Sequence, residues 1–140
     1  MLGLVIFCVM IGGVAKEPPL AGAKVGQVAL TVSDLAVARD FYAERLGLPV
    51  AIDTGSMLFF DLGGTMLMLA PPEPEAPLTP GGAVVYLSVP RIRESWSALR
   101  ERGVAFVDEP HVVHRAEEKS LWMTFFRDPD GHLLALMSWE

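Results

Sequence analysis

The sequence predicts an α+β domain made of two βαβββ modules whose curled mixed sheets enclose a central cavity. Three observations predict it. Apolar residues alternate with period two in short runs, those runs are interrupted by segments of helical period, and the same order of elements occurs twice along the chain. Glu44-Arg45-Leu46-Gly47 in the first half lines up with Arg100-Glu101-Arg102-Gly103 in the second, as an internal duplication requires.

The first module covers residues 24–70. Val28, Leu30 and Val32 alternate with Gln27, Ala29 and Thr31, which reads as a strand with one face inward. Ser33-Asp34 offers side-chain oxygens to the free N–H groups of a helix start. Leu35, Ala38, Phe41 and Tyr42 then follow at helical spacing, and Gly47 supplies the stop. Met57–Leu62 and Thr65–Ala70 flank Gly63-Gly64 as a hairpin. A proline-rich linker, Pro71–Pro80, closes the half.

The second module covers residues 81–139. Val84–Val89 is a strand, and Pro90 opens a helix with Ile92, Trp96 and Leu99 on one face, ending at Gly103. Val104–Val107 reads as another strand. Leu121–Phe126 and Leu133–Met137 flank Asp128-Pro129-Asp130-Gly131, whose residues suit a type I turn.

Composition narrows the function classes. The chain has 140 residues, 51% of them hydrophobic and 20% charged, enough for one domain with its own core. A formal charge of −6 and the absence of any basic run exclude a nucleic-acid binder, which needs a cationic face for phosphates. The single cysteine, Cys8, permits neither an internal disulfide nor a thiolate zinc cluster, so any metal site would rest on His, Asp, Glu or Gln. Neither a phosphate-binding glycine loop nor a Gly-x-Ser-x-Gly elbow occurs.

Residues 1–23 read as an apolar leader and linker outside the domain. Met1–Ala15 carries no charge and is too short to span a bilayer as a helix, which takes about 20 residues. Gly13 and Ala15 are small, as at signal cleavage sites, but no Lys or Arg precedes the apolar run. A misplaced gene start is the other reading. The folded domain is therefore expected to be cytoplasmic and without membrane contact, with export the alternative if residues 1–15 act as a signal.

Gln27-Val28-Ala29-Leu30-Thr31-Val32-Ser33-Asp34-Leu35, followed by Phe41-Tyr42 and Leu46-Gly47, resembles the opening module of the vicinal oxygen chelate superfamily. That group includes glyoxalase I, bleomycin-resistance proteins and extradiol dioxygenases. Phe126-Arg127-Asp128-Pro129-Asp130-Gly131 and Leu133-Leu134 resemble its closing motif. The resemblance spans residues 24–139 and implies the fold more firmly than the function, because this fold carries isomerases, oxygenases, lyases and simple binders.

The resemblance also implies a site of four inward side chains, in metal-dependent members His or Gln, Glu, His and Glu. The matching residues here are Gln27, Met68, Val84 and Ala135. Only Gln27 fits; Val84 and Ala135 have no donor atom, and a thioether is a poor ligand for hard or borderline ions. The expectation is that the family metal site is absent and no cofactor is needed, a divalent ion being conceivable only at a non-standard position. Ala29, Thr31, Met66, Tyr86, Ser88, Leu133 and Met137 share faces with the four positions. This lining suits a small hydrophobic ligand oriented by Gln27 and Tyr86, although a packed barrel core would show the same residues.

The segment Glu109–Lys119 concentrates the remaining chemistry. His111 and Glu109 are the candidates for acid–base work, and Trp122 for a flat ligand contact. An odd separation puts His111 and His114 on opposite faces of a regular strand, whereas on a helical turn they would share a face. Two functions compete. One is metal-free sequestration of a drug or metabolite in the inter-module cavity. The other is a lyase, isomerase or dioxygenase-like enzyme using His111 and Glu109 or a displaced metal. Family members usually pair, so a homodimer is expected.

Overall fold

A computed structural model describes residues 18–140; the leader Met1–Ala15 lies outside them. Each module is a strand, a helix and three further strands. The first contains β1 (Gln27–Thr31), α1 (Leu35–Arg39), β2 (Val50–Asp53), β3 (Leu58–Asp61) and β4 (Met66–Ala70). The second contains β5 (Val84–Ser88), α2 (Ile92–Glu101), β6 (His111–Arg115), β7 (Ser120–Arg127) and β8 (Leu133–Trp139). The sheets run β1-β4-β3-β2 and β5-β8-β7-β6, the same order twice. In each the first strand lies parallel to the last, and the other pairs are antiparallel.

The helices differ in one respect. Asp34 caps α1, its carboxylate accepting from Ala36 N and Val37 N. After Arg39 the helix widens into a π-helical turn, Asp40–Arg45, whereas α2 stays α-helical. Gln27 to Gly47 is one residue longer than Val84 to Gly103, and the wider turn absorbs that residue. Both helices end at a glycine with positive φ, +73° at Gly47 and +85° at Gly103.

Alternation decides what is buried. Leu30, Phe60, Leu67 and Leu69 of the first sheet and Phe126, Leu134 and Leu136 of the second join Phe41, Tyr42 and Ile92 in one shared core. The modules thus meet through their helix-side faces. Tyr42, fully buried, donates its hydroxyl to Asp128 Oδ2 at 2.9 Å, and His132 Nε2 donates to Thr31 O at 2.6 Å. Desolvation, with Asp128 beside it, holds the Tyr42 hydroxyl far above the usual tyrosine range, so it stays a donor. Arg45 Nη1 donates to Gly103 O at 3.5 Å and Arg102 Nη2 to Glu44 O at 2.9 Å, a reciprocal clasp of each helix end by the other module.

Two elements depart from the sequence reading. Val104–Val107 forms no strand and makes only an isolated bridge, Phe106 to Phe126. The edge strand comes instead from His111–Arg115, which lies in the polar segment and pairs with β7. Polarity misleads here because an edge strand exposed on most of its length tolerates polar side chains.

Candidate functional site

The faces opposite the shared core are the concave faces of the two sheets, and they carry the candidate residues in two separate groups. On the first sheet Gln27 lies on β1 and Met68 on β4, with Gln27 Nε2 donating to Met68 Sδ at 3.6 Å. Ala29, next on the same face, pairs directly with Met68. Thr31 closes this row, its hydroxyl donating to Pro77 O at 3.1 Å, so the linker passes over the end of β1. Gln27 and Ala29 are exposed.

On the second sheet Tyr86 and Phe125 both pair with Ala135, one from either side. Their rings meet edge to face across it, centroids 6.2 Å apart. Ala135 is fully buried for that reason, although it lies on the open face. Tyr86 remains 47% exposed, and Val84 pairs with Leu133 at the start of the same row.

The histidines are placed by a feature the sequence did not announce. The register of β6 shifts between Val112 and His114: His111 pairs with Met123 and His114 with Leu121. Met123 and Leu121 are two apart on β7 and share a face, so the bulge brings both histidines onto the concave side. The opposite-face expectation is corrected accordingly. His114 packs edge to face on Trp139, centroids 6.1 Å apart.

His111 Nδ1 donates to Glu109 O at 2.9 Å, and Nε2 makes no hydrogen bond among the described residues. Its nearest carboxylate is that of Asp108, at 3.7 Å, not that of Glu109. Asp108 Oδ1 is itself fixed, accepting from Thr124 Oγ1 at 2.9 Å and Phe125 N at 2.8 Å.

Trp122 leaves the site. It pairs with Ser138 and Val112 on the helix side, and the Arg93 guanidinium of α2 lies 5.5 Å above its ring. Asp108, Met123, Phe125 and Trp139 enter, having been missed. Met123 and Phe125 were readable from the alternation of β7 and Trp139 from that of β8, whereas Asp108 lies on the bend before β6, where no alternation places it.

Gln27 with Met68 occupies one sheet and Val84 with Ala135 the other, with their backs toward a common core. The cavities along the module seam and beside β1 involve none of Gln27, Met68, Val84, Tyr86 and Ala135. The donor set does not fit a divalent ion. One amide and one thioether lie together, already bonded to each other, and the other two positions offer an isopropyl and a sealed methyl group. Among the described residues no group of three or more His, Cys, Asp or Glu is arranged to hold a metal, and no helix is long and apolar enough to cross a membrane.

Known proteins resemble the chain as a whole. The chain is 29% identical over 126 residues to the uncharacterized protein YraH of Bacillus subtilis (strain 168), a match covering 81% of this chain and 96% of that one. Among solved structures it is similar to TnmS3, an antibiotic binding protein from Streptomyces sp. CB03234. That match has 27% identity and a TM-score of 0.69, covering 86% of this chain and 98% of that one. It is also similar to the virulence protein STM3117 from Salmonella typhimurium, with 25% identity, a TM-score of 0.69, and coverage of 84% and 98%. The description that fits residues 24–136 is the Glyoxalase/Bleomycin resistance protein/Dioxygenase superfamily, and with the duplicated βαβββ modules this establishes that the chain belongs to that superfamily.

Proposed function

We propose that this protein binds a small hydrophobic molecule on its concave faces without a divalent metal, as a sequestering protein. The observation that carries this is the state of the four family positions: Ala135 is sealed beneath Tyr86 and Phe125, and Gln27 is turned to Met68. The wall around them is aromatic and thioether, the lining that apolar ligands favour. The similarity to TnmS3, an antibiotic binding protein, supports the same reading.

A homodimer completes the proposed site. Both concave faces are open in one chain, with Tyr86 47%, Ile52 50% and Trp139 46% exposed. Laying the second sheet of one chain over the first sheet of another would cover these residues and bring Gln27 and Met68 opposite Val84 and Ala135.

The test uses full-length protein, sedimentation equilibrium and titration with Nile red, an uncharged fluorescent probe. A dimer binding one Nile red per chain is expected, with Met68→Lys weakening binding at least tenfold. A monomer that binds the probe equally well with or without that substitution refutes the proposal.

A second reading, acid–base catalysis, is favoured by the bulge that puts His111 and His114 on the concave face, with Asp108 behind His111. It requires that His111→Ala abolish turnover of whatever substrate is found while the fold persists.

A further inference from the structure

The two halves of the seam are related by the duplication, yet they are packed differently. Counted from the matching strand starts Gln27 and Val84, Phe41 corresponds to Ala98 and Tyr42 to Leu99, and Leu48 N bonds to Tyr42 O as Val104 N bonds to Leu99 O. Phe60 pairs with Leu67 and Phe126 with Leu134, so Leu62, two past Phe60, corresponds to Asp128. In one half of the seam Tyr42 fills the space beneath its helix and is bonded to Asp128. In the other half the smaller pair Ala98 and Leu99 stands where Phe41 and Tyr42 stand in the first, and the turn opposite offers Leu62 instead of a carboxylate.

The consequence is a cavity of about 410 Å³, lined by Ala98, Leu62 and other apolar side chains of both modules, including Leu46 and Leu99. That volume falls within the range of about 300–1,000 Å³ typical of small-molecule sites, which favour such junctions. It is distinct from the concave faces and independent of the function proposed for them.

Its polar groups are few. Ser95, Ala98 and Leu99 of α2 and Arg102, which caps its C-terminus, form one stripe facing the cavity, at spacings of three, four and seven residues. Arg102 stands at the end of that stripe. One of its N–H groups serves Glu44 O, and among the described residues no carboxylate lies within ion-pair distance of it. An apolar cavity with one cationic fork at its rim matches an aliphatic chain ending in an anion.

We infer that the module seam is a second binding site, which takes a medium-chain aliphatic carboxylate with its chain beneath Ala98 and its carboxylate on Arg102. The full-length protein is titrated calorimetrically with decanoate, decanol and decyltrimethylammonium, each below its micellar concentration. Decanoate is expected to bind once per chain, at least tenfold more tightly than decanol, and the ammonium compound not measurably.

Arg102→Gln should remove the preference for decanoate over decanol. Ala98→Phe, which supplies the aromatic ring that Phe41 supplies in the other half, should abolish binding of both, and Ala98→Leu serves if the larger side chain prevents folding. Met68→Lys on the concave face should leave decanoate binding unchanged, so this site and the Nile red site stand or fall separately. Decanoate binding that survives a folded Ala98 variant, equal binding of the ammonium compound, or loss of decanoate binding on Met68→Lys would each overturn the inference.

Discussion

Replacing Tyr42 with phenylalanine removes a single hydroxyl from the module seam and changes nothing else in shape. That hydroxyl donates to a buried carboxylate, Asp128, which keeps two further donors, Asp130 N at 3.0 Å and His132 N at 2.8 Å. A hydrogen bond to a charged group contributes about 1.5–3 kcal/mol. For a domain of this size that corresponds to a fall in Tm of about 5–12 °C, measured by calorimetry near neutral pH. The pH dependence gives a sharper test. An unfolded tyrosine loses its proton near pH 10, while desolvation and Asp128 keep Tyr42 protonated in the fold well beyond that. Above about pH 10 the unfolded state therefore binds fewer protons than the native state, and stability falls as pH rises. The phenylalanine variant lacks this group. The wild-type advantage should close by up to about 1.4 kcal/mol per pH unit above pH 10, while staying constant from pH 7 to 9. Urea melts of both proteins across that range would show it. An unchanged Tm in the variant, or an advantage that persists undiminished at pH 11, would refute the seam account.

Other consequences can be checked with the same material. Protein loaded with zinc, manganese or nickel and then dialysed should retain no stoichiometric metal, and one tightly held ion per chain by elemental analysis would overturn the reading of the four family positions. Thr124→Val should cost about 1–3 kcal/mol in denaturant melts, because the buried hydroxyl donates to Asp108 O and Oδ1 and its loss leaves Asp108 short of a partner. Asp34→Ala should cost about 1 kcal/mol in the same assay, since its carboxylate satisfies two N–H groups of α1. Tyr86→Ala uncovers Ala135 and should raise the Kd for Nile red, whereas Trp122→Phe, on the far side of the sheet, should leave it unchanged.

How much of this was legible in the chain differs from residue to residue. Gly63-Gly64 and Asp128–Gly131 announced their turns because each demands backbone conformations that few other residues adopt at low cost, and both turns are where expected. Val84 and Ala135 announced the missing donors just as plainly, since no packing can give an alkyl group a lone pair. His111 and His114 were misread because spacing converts to a face only while the register is regular, and a bulge is set by pairing with a distant strand. Trp122 was misread for a related reason: a half-buried aromatic residue suits either side of a sheet, and only the position of α2 with Arg93 selects one.

Local chemistry, then, was enough to specify the duplicated strand–helix–strand order, the helix ends and the poverty of ligating atoms. Each depends on backbone preference or functional groups within a few residues. Which sheet faces meet, and which remain open, depended on how two linked modules bury the most apolar surface together, a sum over contacts far apart in sequence. The same sum made the seam tight at Tyr42 and hollow at Ala98. Two segments with matching patterns acquired different surroundings because the pair Phe41-Tyr42 has the smaller counterpart Ala98-Leu99, and nothing within either segment reveals what faces it across the fold.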